Sequence, residues 1–275
     1  MGANAASMSN KLGKRKLTQR QIRMNEPRCI FCDATGPFTV EHVPPLVMFR
    51  NRYRPDGLTF ASCEGCNVGT RGADLVATFV SKLDPSAFPG SWQDLENRQQ
   101  IDILEKRAPG VLDELFRSDR AQPVFRTTPA GIIFPAVQIT ANGPRTKRYL
   151  DVFAAKFSMA LYREHIGTAL PIYGYVKTVW FLNHNMSQQQ FLKLLEKLPL
   201  FHTLQQGKHS SHGQFAYACN TDERSIVMAL ASFHKGLHVL SIASSDERFD
   251  GATAITFPTL NKLRPGELLK HLPQS

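Results

Sequence analysis

After residue 37, the spacing of apolar residues along the chain is typical of strands in some segments and of helices in others. Apolar runs at residues 38–40 and 58–61 predict two short strands, the second entered through a turn at Asp56-Gly57. Between residues 67 and 83, apolar residues recur every three or four positions, which predicts a helix. These positions are Leu75, Val76, Phe79, Val80 and Leu83. The expected order of this part is strand, strand, helix.

A change of pattern follows Pro85, Pro89 and Gly90, and we place a domain boundary near residue 90. The predicted domains are therefore residues 28–90 and 91–275. In the second, helices are predicted at residues 91–107, 110–118, 147–165 and 187–198, and strands at 131–140, 172–182, 214–218, 225–231 and 237–242. This mixture predicts an α+β fold with an antiparallel sheet in the larger domain.

Composition is that of an ordinary globular protein, with 42% hydrophobic residues in 275. Nowhere does the sequence reach the run of about 20 apolar residues that a membrane-spanning helix needs, and its basic N-terminus lacks the apolar segment of a signal peptide. We therefore expect a soluble, cytoplasmic protein without a membrane partner.

Positive charge is concentrated at the N-terminus. Residues 1–28 hold seven basic residues and one acidic residue, Glu26, within a formal net charge of +10. We expect residues 1–27 to be a disordered tail that attracts a polyanion through counterion release. Lys14, Arg15 and Lys16 are its candidate nucleic-acid contacts. The alternative is a solvated tail without a partner.

Two Cys-x-x-Cys pairs give the strongest chemical signal. They are Cys29 with Cys32 and Cys63 with Cys66. Two residues between thiolates allow both sulfurs to bind one tetrahedral zinc ion, and two such pairs complete a shell of four sulfurs. A closed shell leaves no position for water, so this zinc is expected to be structural. The alternatives are inert buried cysteines or disulfides.

Three residues between or beside the cysteine pairs can carry hydrolytic chemistry. Glu41-His42 ends the first predicted strand, where Pro44-Pro45 prevents its continuation, and Asn67 follows the last cysteine. A histidine is the natural base near neutral pH, and carboxylate and amide oxygens bind hard cations. Each residue also has a plain structural reading: Glu41 can pair with an arginine, Asn67 can bond backbone, and His42 can brace the zinc shell.

The arrangement Cys29-x-x-Cys32, Glu41-His42-Val43-Pro44-Pro45, Cys63-x-x-Cys66-Asn67 resembles the zinc-stapled branch of the HNH endonucleases, over about residues 28–85. The resemblance implies a ββα-metal fold and hydrolysis of DNA, or of RNA, to a 5′-phosphate and a 3′-hydroxyl. It also implies His42 as general base, with Glu41 and Asn67 holding Mg²⁺ or Mn²⁺. This chain has Asp56 where the family usually has asparagine, and Thr70-Arg71 where a lysine is common. A binding-only module with a decayed nuclease centre is therefore the alternative function.

Basic and aromatic residues after the first strand are candidate phosphate contacts. Arg50, Arg52 and Arg54 lie in a loop with Phe49 and Tyr53, and Arg71 begins the predicted helix. A solvated turn is the alternative. A second histidine group predicts no metal site, because its spacing matches no helix or strand face. Its members are His202, His209 and His212.

Overall fold

The computed structural model of the chain describes residues 18–83, 87–128, 130–182, 205–248 and 260–274. It confirms the α+β fold, with helices and antiparallel sheets. The tail residues Lys14, Arg15 and Lys16 and the predicted helix 187–198 lie outside the described residues. Among the helices it does describe, none has both the length and the apolar character needed to traverse a bilayer.

A two-stranded antiparallel ribbon followed by two helices forms the cysteine-containing part. Its elements are α1 (Gln19–Asn25), β1 (Phe38–His42), two short 3-10 turns (Leu46–Met48 and Arg50–Arg52), β2 (Thr59–Cys63), α2 (Glu64–Gly69) and α3 (Arg71–Ser81). The register pairs His42 with Thr59 and Phe38 with Cys63. The helix predicted at 67–83 is divided at Thr70, where ψ is 2° instead of the helical value near −42°. The predicted order of strand, strand and helix is confirmed.

Two helices and a separate ribbon connect this part to the long central helix. They are α4 (Trp92–Arg107), α5 (Val111–Leu115), β3 (Ala121–Thr127), β4 (Ile133–Ile139) and α6 (Pro144–Ile166). The sequence did not predict β3, because Pro123 argues against a strand. β3 pairs only with β4 among the described residues, and such a ribbon leaves an open edge on which a proline costs no ladder hydrogen bond.

A six-stranded antiparallel sheet in the order β10-β5-β9-β8-β7-β6 confirms the predicted sheet. Its strands are β5 (Tyr175–Leu182), β6 (Gln205–Gln206), β7 (Phe215–Thr221), β8 (Ile226–Phe233), β9 (Leu237–Ser244) and β10 (Asn261–Leu263), and a short helix, α7 (Leu268–His271), follows. Helix α6 packs across β5, β8 and β9. The apolar face of α6 packs against the sheet. There the centroid of the Phe157 ring lies 5.1 Å from that of the Phe233 ring and 5.9 Å from that of the Phe215 ring.

One hydrophobic core spans the predicted boundary near residue 90. Cys29 and Phe31 belong to the same buried cluster as Phe157 and Phe233. Polar contacts join the two sides as well: the Gly266 amide donates to the Phe31 carbonyl at 2.7 Å. The ribbon and its cysteines are therefore supported by the sheet and by α6, and do not form a separate core.

Candidate functional site

The four cysteines lie together at the base of the ribbon. Their sulfurs are all within 4.8 Å of one another, and the Cys32 and Cys63 sulfurs are 3.6 Å apart. A Zn–S bond of about 2.3 Å places the sulfurs of a tetrahedral shell about 3.8 Å apart. Backbone amides of Phe31 and Cys66 donate to the Cys29 and Cys63 sulfurs. The donor set and its spacing fit one zinc ion.

The thiols of Cys29, Cys32 and Cys66 differ in pKa. A hydrogen bond with Cys66 lowers the pKa of Cys29 to about 4 and raises the pKa of Cys66. Burial raises the pKa of the Cys32 thiol to about 12. Without metal the cluster therefore retains protons, and a divalent ion that binds four thiolates must displace them. Zinc uptake should accordingly release protons and strengthen with rising pH.

Asn67 bonds to the strand that carries Glu41. Its amide nitrogen donates to the Thr39 hydroxyl at 2.8 Å and to the Val40 carbonyl at 3.3 Å. Residues 39 and 41 of a strand share a face, so Asn67 lies on the Glu41 side of β1. Its nitrogen is committed to this strand, and its oxygen is the atom that remains for a ligand. The structure thus brings two of the three predicted site residues to one face.

His42 is half-buried and held by Arg54. The Arg54 guanidinium lies 2.9 Å from the His42 Nδ1 atom, and the Thr59 hydroxyl lies 3.3 Å from it. A guanidinium can only donate, so Nδ1 carries the lone pair and the neutral ring has its proton on Nε2. Burial, then the charge of Arg54, lowers the pKa of His42. The imidazole is therefore neutral near pH 7, and its basic nitrogen faces Arg54.

Glu41 is buried in an ion pair that the sequence analysis did not foresee. It is 5% exposed, and its Oε1 atom lies 2.8 Å from the Nζ atom of Lys156 on α6. The same ammonium lies 2.7 Å from Asp74 of α3. Burial raises the pKa of Glu41 to about 7. Glu41 is thus joined to the central helix instead of to an arginine of its own loop.

A divalent cation does not fit at Glu41 in this conformation. One carboxylate oxygen is bound to the Lys156 ammonium, and the side chain is enclosed. A metal ion there would have to sit beside a buried positive charge, which is strongly unfavourable. The predicted Mg²⁺ or Mn²⁺ site at Glu41 and Asn67 is therefore not formed as the residues stand.

The predicted phosphate contacts have different surroundings. Arg54 is half-buried and donates to the Gly57 and Leu58 carbonyls as well as to His42. Arg50 lies over the Trp92 ring at 5.5 Å, and Arg71 is exposed at the start of α3. Arg52 is exposed with φ at 60°, in the left-handed region that costs a non-glycine residue energy. Arg52 and Arg71 are the loop and helix cations most open to a ligand.

His209, from the histidine group, joins the ribbon's loop to α6. It lies 3.0 Å from a Glu164 carboxylate oxygen and bonds the Asp56 backbone. His202 lies outside the described residues, and His212 is exposed. The hydrogen bond to Glu164 raises the pKa of His209, against opposing effects of burial and of Lys208.

We expect His209 to stabilise the fold below its folded-state pKa and to lose that effect as pH rises. A histidine whose pKa is raised on folding contributes stability that is full at acid pH and disappears through the folded pKa. The melting temperature of the wild type minus that of His209→Gln should therefore shrink as pH rises from about 6 through the folded-state pKa. His212→Gln, at an exposed histidine, is the matched control. A difference that stays constant or grows with pH contradicts this role.

Two residues that contact the candidate site escaped the sequence analysis, namely Asp74 and Lys156. A signal was present: Lys156 follows Phe153 by three positions, so it lies on the apolar face of its helix. A charged residue on such a face is rarely buried without a partner. The sequence offered no means of naming that partner, which lies 82 residues away in Asp74.

Comparisons with known proteins found no relative of this chain. No family model matches it, and no curated protein or solved structure does.

Proposed function

We propose that the chain is an HNH-type endonuclease that hydrolyses DNA phosphodiester bonds, with the four-cysteine zinc as a structural ion. The observation that carries the proposal is the end of β1. Glu41 and His42 end β1, a strand whose first residue, Phe38, pairs with Cys63 of the four-cysteine cluster, and Asn67 from the following helix bonds the same strand. This combination of a ββα unit with an acid, a histidine and an amide is what the family resemblance implies.

His42 supplies the base in this proposal. Its lowered pKa keeps the ring neutral near pH 7, so Nδ1 can accept a proton from water. The resulting hydroxide attacks phosphorus in line with the leaving 3′ oxygen. The P–O3′ bond then breaks, and solvent protonates the leaving oxygen. A 5′-phosphate and a 3′-hydroxyl result.

Arg54 must leave Nδ1 before His42 can act. A guanidinium bonds a phosphodiester monoanion more strongly than a neutral imidazole, because both partners are charged. An arriving phosphodiester therefore draws Arg54 from His42 and frees the base at the moment of substrate binding. Arg54 is accordingly a positioning residue for His42 and a phosphate contact in turn.

The second candidate is a zinc-stabilised DNA-binding or interaction module whose nuclease centre has decayed. One specific observation favours it: Glu41 is enclosed and paired with Lys156. Under this alternative the ion pair is the final state of Glu41, and the site never admits a catalytic cation.

A plasmid-nicking assay with Mg²⁺ or Mn²⁺ separates the two functions. We expect the wild type to nick DNA and His42→Ala to be slower by about 100-fold to 10 000-fold, the usual worth of a positioned base. DNA affinity and zinc content should change little, because the base acts only in the transition state. His212→Ala, at an exposed histidine, should cleave like the wild type.

Two results would overturn the nuclease proposal. In the first, His42→Ala cleaves at the wild-type rate with saturating metal. In the second, zinc-loaded wild type binds DNA but nicks none of it with either metal, which favours the decayed module.

A further inference from the structure

Two carboxylates and one ammonium are buried together between the ribbon, α3 and α6. Glu41 is 5% exposed, Asp74 6% and Lys156 1%. The Lys156 nitrogen lies 2.8 Å from Glu41 and 2.7 Å from Asp74. With both carboxyls ionised, one positive charge faces two negative charges. The Lys156 ammonium therefore balances only one of the two carboxylates it bonds, and one divalent ion in its place would balance both.

Each carboxylate uses only one of its oxygens. The Oε2 atom of Glu41 and the Oδ1 atom of Asp74 are buried, and neither has a hydrogen-bond partner. A buried acceptor without a partner costs about 1–3 kcal/mol, and such sites are usually occupied by a donor or a cation. The positive charge of Arg71 favours the ionised form of both carboxyls. The Lys156 nitrogen also lies 5.8 Å from the centroid of the Phe31 ring.

We propose that Glu41 and Asp74 form a dicarboxylate cation site, which the Lys156 ammonium fills in this conformation. Carboxylate oxygens are the ligands that Mg²⁺ and Mn²⁺ prefer. A divalent ion would neutralise both carboxylates, whereas the ammonium neutralises one. Lys156 and the metal need the same oxygens, so they compete. Asp74 is thereby added to Glu41 as a metal ligand.

This competition gives the sheet domain a role in the proposed endonuclease, and to that extent it rests on the proposed function. Lys156 belongs to α6, the helix that packs across the sheet. With Lys156 in place, the cation site at Glu41 and Asp74 is closed. Withdrawal of Lys156 from the two carboxylates opens it to metal.

The test is Mn²⁺ binding by the full-length, zinc-loaded protein, followed by electron paramagnetic resonance. Lys156→Met should bind one additional Mn²⁺ per chain, at least about tenfold more tightly than the wild type does. Adding Glu41→Gln or Asp74→Asn to Lys156→Met should remove that ion. Lys147→Met, at a half-exposed lysine of the same helix, is the control and should bind Mn²⁺ like the wild type.

The proposal is overturned if folded Lys156→Met binds no more Mn²⁺ than the wild type, or if its added ion survives both carboxylate substitutions. Should Lys156→Met be unfolded without metal, Mn²⁺ should refold it, since a ligand that binds only the folded state stabilises it. A chain that stays unfolded in saturating Mn²⁺ also overturns the proposal.

The outcomes separate the cation site from the nuclease. If Lys156→Met gains Mn²⁺ while no variant nicks DNA, the cation site stands and the endonuclease does not. If the wild type nicks DNA and Lys156→Met gains no Mn²⁺, the reverse holds.

Discussion

Replacement of Cys29 by serine is expected to abolish zinc binding and to unfold the ribbon together with the core that it shares with the sheet. Cys29 is fully buried and belongs to the continuous core. A structural zinc contributes about 10–16 kcal/mol in zinc-finger peptides, which is as large as the whole net stability of a typical domain, about 5–15 kcal/mol. Loss of this ion should therefore not be tolerated.

Elemental analysis and circular dichroism on the purified variant measure the two effects. Cys219→Ser is the matched control, because Cys219 is also buried but lies in β7, outside the cluster. It should retain one zinc per chain. A Cys29→Ser protein that melts at the wild-type temperature would show that the cluster does not hold the fold together.

Truncation of Phe157 to alanine is expected to cost about 3–5 kcal/mol in the free energy of unfolding. The Phe157 side chain is fully buried in α6. Its ring contacts Phe215, Tyr217 and Phe233 at the face where α6 meets the sheet. The cavity left by the ring cannot close without moving the helix, so the loss should be near the upper end of aromatic truncations.

Urea denaturation measures this change through the midpoint, with the slope unchanged. Phe125→Ala makes the same chemical change in β3, where the side chain is 80% exposed. It should alter stability by no more than about 0.5 kcal/mol. A Phe157→Ala protein as stable as this control would mean that α6 is not anchored by its aromatic stripe.

Most regular elements of the fold could be predicted from local patterns. The helix predicted at residues 147–165 is α6, and the strands predicted near 225–231 and 237–242 are β8 and β9. Periodicity identifies such elements because burial of one face imposes it. The strand β3 was missed because its proline violates a rule that applies to interior strands. The break at Thr70 was missed because the apolar spacing continues through it.

Some contacts of the candidate site were likewise predicted from the sequence, and others were not. Cys29, Cys32, Cys63 and Cys66 come together as predicted, and Asn67 reaches the strand of Glu41. The partner of His42 was not predicted, although Arg54 was singled out as a phosphate contact. The prediction concerned the charge of Arg54, whereas its contact depends on the path of the loop that returns it to β1.

The sequence by itself determined the four-cysteine cluster, because two residues between thiolates restrict the backbone to a turn that can present both sulfurs to one ion. It also determined the ribbon that ends in Glu41-His42 and the apolar stripe of α6. Only the tertiary structure decided which charges meet at Glu41. The docking of α6 against α3 brings Lys156 to Asp74 and Glu41. Such contacts between distant residues follow from how whole faces pack, and no local spacing encodes them.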